Sequence, residues 1–180
     1  MRVIGIAGWS GSGKTTLLTK AIPRLRAREL RVSTLKHAHH AFDVDQPGKD
    51  SHTHRVAGAT EVLVSSANRW ALMHELRGDP EPPLAELLRK LSPVDLVIVE
   101  GFKRATVAKI EVHRAEVGKP PLYPDDSMIR GIAADVVFPD AGRPVVALDD
   151  IDAVVDLMLA CSEPLADALS RAGARPATGT

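Results

Sequence analysis

The sequence predicts an α/β fold: a mostly parallel sheet with helices on both faces and one antiparallel hairpin. Three observations carry this expectation. Val3 to Ala7 is a short apolar run ending in Gly8-Trp9-Ser10-Gly11-Ser12-Gly13-Lys14-Thr15, and Leu17, Leu18, Ala21, Ile22 and Leu25 then recur at helical spacing. Leu96, Val97, Ile98 and Val99 form an unbroken apolar run within Val94 to Val99, as a central parallel strand covered on both faces requires. Val62 to Val64 and Trp70 to Met73 flank Ser65-Ser66-Ala67-Asn68, which suits a hairpin. Strand, glycine-rich loop, helix and buried strand together match the three-layer fold of P-loop NTPases.

In chain order, the first helix contains Pro23, whose missing N–H and bulky ring predict a kink or an early end. Val32 to Leu35 reads as a second strand. Lys36 to Lys49 holds three histidines, two aspartates and Pro47-Gly48, so a long loop is expected there. Pro82-Pro83 opens a helix running through Leu91, since proline fits a first helical turn. Ala108 to Val112 and Ile129 to Ala134 are strand candidates, separated by a loop holding Pro120, Pro121 and Pro124. Ile151 to Leu159 has helical spacing, with Asp149-Asp150 placed to cap its start. From Ser162 the chain is rich in Ala, Arg, Pro, Gly and Thr. The expected organisation is therefore one nucleotide-binding domain at residues 1–161 and a flexible tail at 162–180.

Composition narrows the class. Lys plus Arg and Asp plus Glu each number 23, so no basic excess argues for nucleic acid or an anionic membrane as partner. The single Cys161 excludes an internal disulfide framework and fits a reducing compartment. No apolar run approaches the roughly 18 residues of a spanning helix, and no leader pattern opens the chain. A cytoplasmic protein is expected.

The spacing G-x-x-x-x-G-K-[ST] carries a specific chemistry. Gly8, Gly11 and Gly13 let the backbone curl so that its N–H groups face a polyphosphate. Lys14 supplies a charge for the β- and γ-phosphates, Thr15 a hydroxyl for Mg²⁺, and Thr16 continues into a helix whose positive end faces the same anion. Rossmann and kinase loops want a third glycine where this chain has Thr16. In an open parallel sheet the residues after each strand share an edge with this loop. Lys36 and His37 follow the second strand, and Glu100 ends the buried one, where it can hold Mg²⁺ through water or polarise an attacking water. Asp43, Asp45 and Asp50 are candidates for a switch-like loop, with Asp50 the preferred second-sphere magnesium residue. Lys14 and Glu100 are the catalytic candidates, and Thr15, Asp50 and Glu100 the metal candidates.

His37, His39, His40, His52 and His54 place five of seven histidines within 18 positions. Metal binding, phosphate or substrate hydrogen bonding and plain surface exposure are all compatible with that spacing.

Gly8 to Thr15, the segment Lys36-His37-Ala38-His39-His40-Ala41-Phe42-Asp43-Val44-Asp45-Gln46-Pro47-Gly48-Lys49-Asp50-Ser51, and Val99-Glu100-Gly101-Phe102-Lys103 together resemble the molybdopterin-guanine dinucleotide biosynthesis adapter family, MobB. The resemblance runs from the first strand to about Asp150. It implies a homodimeric GTP-binding protein of the SIMIBI class with weak GTPase activity, assisting the guanylyltransferase that joins GMP to molybdopterin. It also implies that Gly11, Ser12, Gly13, Lys14 and Thr15 serve phosphate and magnesium, with Glu100 and Gly101 near the γ-phosphate. GTP, Mg²⁺, the guanylyltransferase and molybdopterin are thus the expected ligands and partners.

No Asn-Lys-x-Asp guanine signature occurs. Asp135, after the Ile129 to Ala134 run, is the candidate for the base, because a carboxylate can accept from both N1–H and the exocyclic amine of guanine. Two other functions share the loop: a nickel-insertion GTPase, which the histidines would serve, and a small-molecule kinase, which would need an arginine-rich lid. With neither an arginine finger nor a water-positioning glutamine legible near the loop, slow turnover is expected.

Overall fold

The computed structural model describes residues 1–38, 42–102 and 105–173. The elements follow the order β1 (Arg2–Ala7), α1 (Lys14–Ala27), β2 (Val32–Lys36), α2 (Asp50–Val56), β3 (Glu61–Ser65), β4 (Trp70–His74), α3 (Leu84–Arg89), β5 (Leu96–Glu100), β6 (Lys109–His113), β7 (Ile129–Ala134), β8 (Val145–Ala147), α4 (Ile151–Cys161), β9 (Glu163–Pro164) and α5 (Leu165–Gly173). Where the composition suggested one compact domain, the chain divides into two units, residues 1–37 with 84–180 and residues 38–83.

The first unit is built on a seven-stranded sheet of order β2-β5-β1-β6-β7-β8, with β9 added beside β1. Every pairing along that order is parallel. Only β9 runs antiparallel, joining Arg2 and Val3 of β1, whereas β6 pairs with Gly5 to Ala7. This is the predicted α/β class, and its physical cause shows in the alternation of side chains. Ile4, Ile6, Leu96, Ile98, Ile110 and Val112 pack on one face with Leu17, Leu18 and Leu25 of α1 and Val154, Leu157 and Met158 of α4. Val3, Val97 and Val99 pack on the other with Leu88 of α3 and Ala168 of α5. Each large apolar side chain so buried contributes about 1.5–3 kcal/mol, which explains the unbroken apolar run Leu96 to Val99 of β5.

Two expectations are corrected. Helix α1 does not end at Pro23 but runs on to Ala27. Leu18, Ala21 and Leu25 are buried on both sides of the proline, and that packing outweighs one lost helical hydrogen bond. Residues 162–173 are not a flexible tail: they form β9 and α5. Glu163 is buried, accepts from the Ala108 N–H at 2.7 Å and meets Arg130 at 3.1 Å, while Leu165 N–H donates to Met1 O. The remaining tail residues, 174–180, lie outside the described residues. The loop expected after β2 does end at Lys49, and α2 begins at Asp50. The predicted cap of α4 is present, with Asp150 accepting from Ala153 N–H at 3.0 Å.

The second unit contains α2 and the β3–β4 hairpin. Its register pairs Val62 with Met73 and Leu63 with Leu72. Val62 is buried, and Leu63, Trp70 and Leu72 are exposed. Arg55 of α2 ties the preceding loop to the end of the hairpin, reaching Asp43 at 2.7 Å and Asp45 at 3.0 Å in the loop and Glu75, just after β4, at 3.4 Å.

Candidate functional site

Residues 8–13 link the carboxyl end of β1 to the start of α1. Gly13 is the cap of α1 in the left-handed region, at φ 85°, a conformation only glycine adopts at little cost. No acidic residue sits in the first turn of α1, so its N–H groups and positive dipole end face the loop uncompensated. Lys14 Nζ donates to the carbonyls of Gly8 at 2.9 Å and Trp9 at 2.7 Å, bending back across the loop it belongs to. Ser12 is buried, and its Oγ has no hydrogen-bond partner among the described residues. Buried hydroxyls are normally paired, so a ligand or water fits that atom.

The end of β5, the strand paired directly with β1, completes the arrangement. Thr15 Oγ1 lies 3.4 Å from Glu100 Oε1, and Lys36 Nζ lies 4.0 Å from Glu100 Oε2. The Glu100 side chain is only 13% exposed. β2 and β5 are joined beyond their ends as well: His37 N–H donates to Glu100 O at 2.9 Å, and the His37 ring packs on Phe102 with centroids 5.0 Å apart. Gly101 at φ 93° makes this junction possible, since a Cβ there would stand 2.8 Å from His37 O. Parallel topology thus gathers Lys14, Thr15, Lys36, His37, Glu100 and Gly101, as the sequence led us to expect.

Other candidates are placed differently. Asp43 and Asp45 are engaged by Arg55 within the second unit, and Ser51 Oγ donates to Asp45 at 2.7 Å. The Ser51 hydrogen bond, with Arg55, holds the Asp45 carboxyl below its usual range despite burial. Asp50 opens α2 in that same unit. His52 and His54 stand on α2, where a two-residue step directs them to different sides. His39 and His40 lie outside the described residues, as does Lys103. Among the described residues, no three His, Cys, Asp or Glu side chains converge as a metal-ligand set.

Asp135 stands at the end of β7, where its Oδ1 accepts from Ala115 N–H at 2.9 Å. It lines an open cleft of about 530 Å³ with Arg114, Val137, Ala147 and Asp149. Arg114 was not legible as a site residue. Its guanidinium lies over Gly13, so that a Cβ on that glycine would meet Nε at 3.1 Å. Only the packing of β6 beside β1 brings it there, and no motif or spacing signals it.

The fold and this loop define a P-loop nucleotide-binding protein. Residues 3–135 match the family model "MobB: Molybdopterin guanine dinucleotide synthesis protein B". The molybdopterin-guanine dinucleotide biosynthesis adapter protein of Escherichia coli K12 is 40% identical over 160 residues, 87% of this chain and 91% of that protein. The adapter protein of the same name from Haemophilus influenzae is 40% identical over 159 residues, 87% of this chain and 86% of its own. The crystal structure of a molybdopterin-guanine biosynthesis protein B superposes with a TM-score of 0.67 at 27% identity, covering 88% of this chain and 98% of that one. The chain belongs to the MobB family. Among the described residues no helix is long and apolar enough to cross a membrane.

Proposed function

We propose that this chain is a GTP-binding adapter that assists the attachment of GMP to molybdopterin, hydrolysing GTP slowly and working with a guanylyltransferase in the cytoplasm. The observation that carries the reading is the meeting of Thr15 and Glu100, 3.4 Å apart at the mouth of the phosphate loop, in a chain of this family. Lys14, now spanning the Gly8 and Trp9 carbonyls, would turn to the β- and γ-phosphate oxygens, which are stronger acceptors than neutral carbonyls. The backbone N–H groups at the start of α1 would receive the phosphates between them.

The donor set suits Mg²⁺, a hard cation with oxygen ligands at about 2.1 Å. Thr15 Oγ1 would ligate it, and Glu100 would hold it directly or through water. Bound there, Mg²⁺ offsets charge on the β- and γ-phosphates. Lys36, 4.0 Å from Glu100, orients that carboxylate. Glu100 is also the group to orient water for hydrolysis, with Gly101 leaving space beside the γ-phosphate. On the far flank, Asp135 lines the open cleft beside Arg114, where its carboxylate is assigned to the guanine edge.

Homodimer formation belongs to the same proposal, and the exposed Leu63, Trp70 and Leu72 of one hairpin face supply an apolar surface for it. Molybdopterin is proposed as a ligand of the working complex.

The decisive experiment is guanylyltransferase turnover with and without this protein, at matched GTP and Mg²⁺. Stimulation by the unaltered chain, lost in Lys14→Ala, is expected. Equal stimulation by Lys14→Ala, or binding of ATP as tightly as GTP, would overturn the reading.

A further inference from the structure

Glu100 and Arg114 occupy opposite flanks of the phosphate loop. β1 lies between β5, which ends at Glu100, and β6, which ends just before Arg114. A triphosphate on the loop has its γ-phosphate toward one flank and its nucleoside toward the other. The Thr15–Glu100 pair marks the first of these as the β5 side. The β6 side is then left for the phosphate that carries the nucleoside.

Arg114 is placed to meet that phosphate. From the position a Gly13 Cβ would take, its Nε, Nη2 and Cζ lie at 3.1, 3.5 and 3.7 Å, so the guanidinium plane covers the start of α1. It shares a small recess with Gly13 and Thr16, and it also walls the larger cleft that holds Asp135 and Asp149. The side chain is half-buried, and among the described residues no carboxylate forms an ion pair with it. Five N–H donors in a rigid fork, partly out of water and without an anion, suit a phosphate better than solvent. Moving away from the loop, the wall changes from this cation to two carboxylates. That order matches phosphate first, then the hydroxyls and N–H groups of a nucleoside. The Asp135 bond to Ala115 N–H at 2.9 Å fixes the backbone directly after Arg114, so the cation and the nucleoside-facing acid are held by one contact.

We infer that Arg114 binds the α-phosphate of the bound nucleotide and thereby sets affinity for nucleoside di- and triphosphates alike, without acting on the γ-phosphate. The inference rests on the nucleotide-binding reading of the site. A charge-assisted bond of this kind corresponds to about 10- to 100-fold in affinity.

The test measures binding of GTP, GDP, ADP and GDPαS, together with GTP turnover, for the unaltered chain, Arg114→Ala and Arg114→Lys. Arg114→Ala is expected to weaken GTP, GDP and ADP by a common factor and to raise KM while leaving kcat within about twofold. It should weaken GDPαS less than GDP, because sulfur at the α-position already degrades the contact. Arg114→Lys, which keeps the charge but loses the fork, should recover part of the affinity. A fall in kcat with GDP affinity unchanged would overturn the inference by moving Arg114 to the γ-phosphate. A loss confined to guanine nucleotides would overturn it by moving Arg114 to the base. Unchanged affinities in Arg114→Ala, beside an unaltered chain that binds nucleotide, would overturn this inference alone. An unaltered chain that binds none of the four would overturn the nucleotide-binding reading with it.

Discussion

Thr15 Oγ1 donates to Glu100 Oε1 across 3.4 Å, although the two residues stand 85 positions apart in the chain. The contact brings the first residue after the phosphate-loop lysine to the end of the buried strand β5. Removing either oxygen should therefore weaken the same property. Thr15→Ala and Glu100→Gln are each expected to reduce the gain in GTP affinity that Mg²⁺ provides by about 10- to 100-fold. Titrating Mg²⁺ at fixed GTP measures it, and an undiminished Mg²⁺ effect in both variants would separate this pair from the metal.

Gly101 should be intolerant of a side chain for two independent reasons. Its φ of 93° is costly for any other residue, and a Cβ would come 2.8 Å from His37 O, a backbone atom that cannot swing aside. Gly101→Ala is expected to lower stability by about 1–3 kcal/mol. The urea midpoint, at constant m-value, reports it.

The buried Glu163 makes α5 part of the first unit. Glu163→Ala would leave Ala108 N–H without its acceptor and Arg130 without its carboxylate, and about 3 kcal/mol of destabilisation is expected. A chain ended after Cys161 should unfold at a lower temperature still, since it also loses Ala168 from the core. An unchanged melting temperature for that truncation would return these residues to the status of a loose tail.

Asp45 predicts how the second unit responds to acid. Its carboxyl is held below the ordinary value of 3.8, first by the Ser51 hydrogen bond and then by Arg55. The folded-state value is thus lower than the unfolded one, so the contribution to stability is complete above the ordinary carboxyl range and is lost as pH falls through the lowered value. Amide protection factors across residues 42–56 should hold down to about pH 4 and fall only below it. In Asp45→Asn the same segment should exchange faster at neutral pH, with less further change in acid.

Much of this architecture is written locally. The phosphate loop is legible because its chemistry needs glycines, a lysine and a hydroxyl at fixed offsets, which no packing arrangement can relocate. β5 is legible for a similar reason: both its faces are covered from Leu96 to Val99, so those four positions are apolar. Glu100 followed from β5, since a parallel sheet presents all its carboxyl ends at one edge. The hairpin was equally readable from its apolar runs and turn.

Errors arose where distant contacts overrule local preference. Composition made residues 162–180 look loose, yet Arg2 Nε bonds Ser162 Oγ at 2.7 Å, and a carboxylate from residue 163 completes the pairing of β6's neighbour Ala108. Pro23 suggested a kink or an early end, and the packing of Leu25 carried α1 past it. Asp43 and Asp45 read as residues free to meet a nucleotide, and Arg55, ten and twelve positions further on, holds both.

The chain order alone determined that a phosphate-loop motif joins β1 to α1 and that Glu100 shares its sheet edge, because spacing and periodicity act over a few residues. The tertiary structure decided that Arg114 covers Gly13 and that Glu163 is buried against Ala108. Both depend on which strands lie side by side, and hydrogen-bonded pairing between segments about 55 or 100 residues apart leaves no periodic trace in either one.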